Sequence, residues 1–174
     1  MTMWDLYDCN FKKTNKIYQE ANSDNIPDGL YHLTVNLWII NSKNEILMLK
    51  KALNFDLRYP GYWTSINGNV LAGDDSYNTI KSTVLKKIGI KLATDEKIIK
   101  LGENLRDPYH YIYETFVICK DLNLESLTID EKYYSKVKWI KNDELRDMIN
   151  NGEIEFPLIE RIERYIFPFL QSKK

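Results

Sequence analysis

The stretch "GNVLAGDDSYNTIKSTVLKKIGI", residues 68–90, decides how this chain is read. Between Asp74 and Ile88 the apolar residues Tyr77, Ile80, Val84, Leu85 and Ile88 recur at helical spacing, which predicts one helix with a buried stripe. Asp74, Asp75 and Ser76 precede it with side-chain oxygens for the first free N–H groups and negative charge for the positive end of the helix dipole. Gly89 follows where a left-handed residue closes a helix. The expectation is therefore a loop, a capped helix and a second loop.

Strand signals flank this unit. "LTVNLWII" (33–40) and "EILMLK" (45–50) are rich in β-branched and apolar residues, and "NSKN" between them suits a tight turn, so the two read as a hairpin. Tyr59-Pro60-Gly61 marks another turn. "YHYIYETFVICK" (109–120) predicts a long strand and "KVKWI" (136–140) a short one, followed by a capped helix over 142–150. In the last stretch Ile159, Ile162, Ile166 and Leu170 keep helical spacing, with Pro168 expected to kink or end the helix. Hairpin links mixed with two or three helices predict an α+β fold.

Composition excludes several classes of function. The 174 residues are enough for one domain with its own core. Lys and Arg number 24 against 25 Asp and Glu; without a basic face, nucleic acid is not an expected partner. No apolar run is long enough to span a membrane, and the first ten residues lack the basic start and apolar stretch of a signal peptide, so a cytoplasmic location is expected. Cys9 and Cys119 form no CxxC pair and read as free thiols. His32 and His110 have no partner at ligand spacing, so no zinc site is predicted.

The opening stretch resembles the Nudix box: Gly, five residues, Glu, seven residues, then Arg-Glu-apolar-any-Glu-Glu-any-Gly-apolar. Gly68 falls on the first Gly and Asp74 on the first Glu. Ser82-Thr83 fall on Arg-Glu, Val84 on the apolar position, Lys86-Lys87 on Glu-Glu, and Gly89-Ile90 on the closing pair. "WDLYDCNFKKTNKI", "GLYHLTVNLWIINSKNEILMLKKA" and "YPGYW" are similar to the subgroup near isopentenyl-diphosphate isomerases, and "VKWIKNDELRDMI" to a later strand and helix of the family. The resemblance implies a Nudix (MutT-like) fold, a central mixed β-sheet sandwiched between α-helices. It implies a single domain over 1–174, with 1–30 as an N-terminal extension packed on it and 156–174 as a C-terminal helix. A homodimer is the corresponding expectation for assembly.

In the family the box glutamates hold Mg²⁺, which clamps a diphosphate and activates water. Here Thr83, Lys86 and Lys87 stand in their place, on one helical face at i, i+3 and i+4 spacing. A lysine about 4 Å from a divalent ion opposes it by roughly 8 kcal/mol at an effective dielectric near 20. The six-residue core of the family sums to about −2 and STVLKK to about +2 at neutral pH. Asp74 has Ser82 where an Arg partner is expected, Tyr133 stands where many relatives carry Glu, and Asn67 stands nearest the isomerases' cysteine and cannot act as its acid or base.

The resemblance leaves three readings. In the first, metal-dependent hydrolysis is impaired or absent and the domain binds a nucleotide or another diphosphate-containing small molecule through Lys51, Arg58, Lys86 and Lys87, with no cofactor and no metal at the box. In the second, it is an active pyrophosphohydrolase of a nucleoside diphosphate derivative that needs Mg²⁺ and uses relocated carboxylates. Glu114 leads that set, with Asp74 and Glu131, then Asp75, Glu103 and Asp107. In the third, it is a non-catalytic scaffold or dimer module and the lysines are a solvated helix face. Tyr109, Tyr111 and Tyr113 alternate along one strand and could stack a ring if they line a pocket, though packing in the core or on the sheet surface is the safer account of them.

Overall fold

The structure is a computed structural model that describes residues 1–173. Its centre is a seven-stranded mixed sheet built from β3 (His32–Ile40), β4 (Ile46–Lys51), β5 (Trp63–Thr64), β6 (Ile66–Asn69), β7 (Ile99–Arg106), β8 (Tyr111–Cys119) and β9 (Tyr134–Ile140). Strand β3 pairs in parallel with β8 over nine residues, from His32 opposite Tyr111 to Ile40 opposite Cys119. It pairs antiparallel with β6, from Thr34 opposite Asn69 to Leu37 opposite Ile66. The expected 33–50 hairpin exists, but its ladder is confined to Ile40 opposite Ile46, after which β4 turns to β5 and β9. That divergence of β3 from β4 opens the sheet beside β6.

Alternation along the strands places successive side chains on opposite faces. Leu33, Val35, Leu37 and Ile39 of β3 meet Leu47, Leu49, Ile112, Phe116 and Ile118 on one face, under the helix α1 (Ser76–Ile88). Trp38, Ile40, Met48 and Val117 face the other way, against α2 (Asn142–Asn150) and the C-terminal helical run. The result is the sandwich that the resemblance implies.

Helix α1 is capped as its sequence predicts: Asp75 Oδ1 accepts from the Asn78 N–H at 2.8 Å, and Gly89 takes φ 73° with its N–H on Leu85 O. Its buried stripe is narrower than expected. Ile80, Val84 and Ile88 are buried, whereas Tyr77 and Leu85 remain 48% and 49% exposed on its flanks.

The C-terminal helix does not break at Pro168. α3 (Phe156–Arg161) runs into a π-helical turn over Ile162–Ile166 and then into α4 (Phe167–Ser172), with Pro168 in the first turn of α4. The wider turn, marked by the Phe167 N–H on Ile162 O, changes the ladder just where proline removes a donor. Residues 1–30 include a two-stranded sheet of β1 (Met3–Tyr7) and β2 (Lys13–Gln19), which the sequence patterns do not single out. Its buried Trp4 and Leu6 pack with Ile26. Strand β7 likewise carries no clear strand pattern; it pairs with β8 across a bulge between Lys100 and Gly102.

Candidate functional site

Where β3 and β4 part, a cleft of about 780 Å³ opens. It is lined by His32 and Thr34 of β3 and by Asn67, Gly68 and Asn69 of β6. Lys51, Arg58 and Lys87 also line it, as do Tyr109, Tyr111 and Arg161.

The box helix reaches this cleft because Gly68 lets it. A Cβ on Gly68 would lie 2.5 Å from Thr83 Oγ1 and 3.4 Å from Thr79 Cγ2, so only a bare backbone allows β6 to lie this close to α1. At that contact the Lys87 ammonium donates a hydrogen bond to the backbone carbonyl of Asn67 and lies 5.9 Å from the centre of the Tyr134 ring. Burial, aided by the positive charge of Lys51 and opposed by Glu155, lowers the Lys87 pKa to about 8.

Asn67 is held in place. Its Oδ1 accepts from Asn36 Nδ2 at 2.6 Å, and its own Nδ2 donates to Thr64 Oγ1 at 3.2 Å. Asn36, fully buried in β3, also donates to Ser65 Oγ and accepts from Trp38 Nε1, a network that makes the Lys87 acceptor rigid.

Lys51 forms an ion pair with Glu155 and also donates to Arg58 O at 2.8 Å. Glu155 is 7% exposed, so part of the cleft's positive charge is balanced within its own wall. Four cationic side chains, Lys51, Arg58, Lys87 and Arg161, face two carboxylates, Asp24 and Glu155, in the lining. The cleft is positive.

The remaining predicted residues lie elsewhere. Lys86 is exposed and lines a neighbouring depression of about 340 Å³ with Lys87, Asp130 and Tyr133. Glu114, the leading candidate for a relocated base, lies mid-strand but is only partly buried; it accepts from the Ser76 hydroxyl and pairs with Lys100 at 2.6 Å. Neither Glu114 nor Asp74 nor Glu131 is among the residues that line the cleft. Asp75 serves as the cap of α1, Glu103 pairs with Lys100, and Asp107 accepts from the Tyr31 hydroxyl. Among the described residues no three His, Cys, Asp or Glu side chains cluster so as to hold a metal ion.

Three contributors carry little or no signal in the sequence. Trp4 comes from β1 and stacks on His32 with ring centroids 4.0 Å apart; burial then holds His32 well below its usual range, at about 4. Glu155 and Arg161 come from the start and end of α3. The same stretch also carries Glu160, Glu163 and Arg164, so charge alone does not single them out. Tyr109 and Tyr111 do line the cleft, with ring centroids 6.3 Å apart, and Tyr113 is buried beneath them.

Comparison with known proteins agrees with this architecture. An uncharacterized Nudix hydrolase of Listeria monocytogenes is 25% identical over 157 residues, which are 88% of each chain. An isopentenyl-diphosphate Delta-isomerase of Shigella flexneri is 29% identical over 72 residues, 41% of this chain and 39% of that one. A crystal structure of a Deinococcus radiodurans protein superposes with a TM-score of 0.74 at 15% identity, covering 94% of this chain and 98% of that one. The MutT protein of Methanosarcina mazei does so at 0.56 and 17% identity, covering 82% and 91%. No family model matches the chain. The fold is the Nudix fold, and over most of its length the sequence is similar to Nudix hydrolases.

Proposed function

We propose that the cleft is a metal-independent binding site for a nucleotide or another diphosphate-containing small molecule, and that the metal-dependent hydrolysis of the family is impaired or absent. The observation that carries this reading is the position of Lys87. Its ammonium lines the cleft on the box helix, where the resemblance calls for a metal-holding carboxylate.

The residues present do not fit a divalent cation. Mg²⁺ requires oxygen ligands, usually including one or two carboxylates. The box face offers Thr83, packed against Gly68, and two lysines that carry no lone pair while charged. Glu155, the buried carboxylate nearby, is engaged by Lys51. A lysine charge can instead neutralise phosphate directly, as a point donor.

Calorimetry with inorganic pyrophosphate and adenosine diphosphate in the presence of EDTA tests the proposal. Binding is expected in the wild type and a loss of about tenfold or more in Lys87→Met, the value of one hydrogen bond to a charged group. Absence of binding without metal, together with Mg²⁺-dependent turnover of a nucleoside diphosphate derivative, would overturn it.

A further inference from the structure

Arg161 lines the same cleft as Lys87, and among the described residues its charge has no counterpart. The residue is 7% exposed. Among the described residues no carboxylate lies within ion-pairing distance of it. Its guanidinium stacks on the Tyr113 ring, 4.1 Å from the centroid, and one terminal nitrogen donates to the Tyr111 hydroxyl at 3.4 Å. Its Nε–H is buried without an acceptor.

A buried guanidinium is ordinarily matched by a carboxylate, because removing a charge from water is costly unless it is paired and hydrogen-bonded. Contact with the Tyr113 ring and the one bond to Tyr111 leave most of the in-plane N–H groups unused, and a guanidinium's five donors form the fork that can bind two oxygens of one anion. An arginine that only packed the core would not also line an open cleft.

We infer that Arg161 anchors a second anionic group, a carboxylate or a phosphate, of the small molecule whose diphosphate lies at Lys87. This rests on the binding function proposed above and specifies its ligand: a molecule with acidic groups at both ends. The sheet register sets the spacing. Arg161 stacks on Tyr113, opposite Thr34, and reaches Tyr111, opposite His32, whereas Lys87 is bonded to Asn67, opposite Asn36. The strand positions that hold the two anchors therefore sit two to four residues apart along β3 and, because β6 and β8 flank β3 on opposite edges, two strand spacings apart across it, roughly 12–16 Å in all at about 3.3 Å per residue and about 4.8 Å per strand. One phosphate does not reach both. Between them the wall is aromatic, with His32, Tyr109 and Tyr111 in the lining, a surface suited to a ring or an apolar linker.

Calorimetry on the full chain in EDTA, with inorganic pyrophosphate and with methylene, propylene and hexylene bisphosphonate, tests the second anchor. In the wild type one of the longer bisphosphonates should bind about tenfold or more tightly than pyrophosphate, the effect of one further charge-assisted contact. Arg161→Gln should bind pyrophosphate as the wild type does and lose that gain. Arg161→Lys keeps the charge without the fork and should lose the greater part of the gain; it takes the place of the glutamine variant if that one does not fold. An undiminished gain in these variants overturns the role of Arg161 while leaving the diphosphate site intact. A wild type that does not bind pyrophosphate overturns the underlying reading instead.

Discussion

The ammonium of Lys87 donates to the backbone carbonyl of Asn67, joining the last turn of the box helix to the strand that begins the box. A residue that the family motif would make a carboxylate is here a cation, and it is half-buried in the wall of the cleft. Because burial holds its pKa at about 8, its charge is titratable near neutrality.

A bound anion favours the charged form, so the affinity for pyrophosphate, corrected for the ligand's own protonation, should be nearly constant below pH 8 and fall above it. The expected slope approaches tenfold per pH unit until the pKa of the complex is reached. Calorimetry from pH 6.5 to 10 measures it, and in Lys87→Met the decline over this window should vanish. A wild-type profile that is flat through pH 9.5 would contradict the assignment of charge to Lys87.

The same shift carries a stability cost. Lys87 has a lower pKa folded, about 8, than its ordinary value of 10.5, so between these values the unfolded chain binds more protons and folding stability rises with pH. Below about pH 8 the full penalty is present, about 3 kcal/mol at 1.36 kcal/mol per pKa unit and an upper bound for a group with some access to water. Lys87→Met should therefore melt higher than the wild type at pH 7, with the difference shrinking towards pH 10. Denaturant titrations at both values provide the check.

Glu155 balances Lys51 within the cleft, so Glu155→Gln should have opposite effects on binding and on folding. Loss of the carboxylate leaves Lys51 partly buried and unpaired, a destabilisation on the order of 2 kcal/mol once its residual exposure is allowed for. It also makes the cleft more positive, so pyrophosphate should bind more tightly. A variant that is destabilised and binds more weakly would show that Glu155 orients the cations rather than offsetting them.

Gly68→Ala tests the close approach of β6 to α1. The new methyl would meet Thr83 Oγ1 at 2.5 Å, and the overpacking should cost about 1–3 kcal/mol. Thr83→Ala in the same chain removes the hydroxyl and should recover most of that loss in thermal melts. If the two substitutions are additive, the contact is not as tight as described.

Glu114 separates the binding reading from hydrolysis by a relocated base. Held by Ser76 and Lys100 and absent from the cleft lining, it should be dispensable for ligand binding: Glu114→Gln is expected to leave pyrophosphate affinity unchanged within about twofold, since its effect on the cleft is only through screened, distant charge. A Mg²⁺-dependent turnover of a nucleoside diphosphate derivative that disappears in this variant would establish the opposite.

Local chemistry is sufficient to read α1, its cap at Asp75 and its stop at Gly89, because caps and left-handed glycines act within a few residues. It is sufficient for β3 and β8, whose β-branched and aromatic runs are long, and for α2. It also shows that the face of α1 bearing Lys86 and Lys87 is positive where the motif it resembles is negative. It does not distinguish Lys86 from Lys87, adjacent on one helix; only the packing of α1 on β6 directs Lys87 to the cleft and leaves Lys86 to the neighbouring depression. Nor does it reveal the cleft's other half. Trp4, Glu155 and Arg161 lie far from the box in the chain and reach it because the β1–β2 sheet and α3 pack beside the opening between β3 and β4. Periodicity and capping are local and survive in a single sequence. The meeting of charges from distant segments, and the pairing that neutralises Lys51 but leaves Arg161 without a carboxylate among the described residues, depends on long-range contacts that only the folded chain contains.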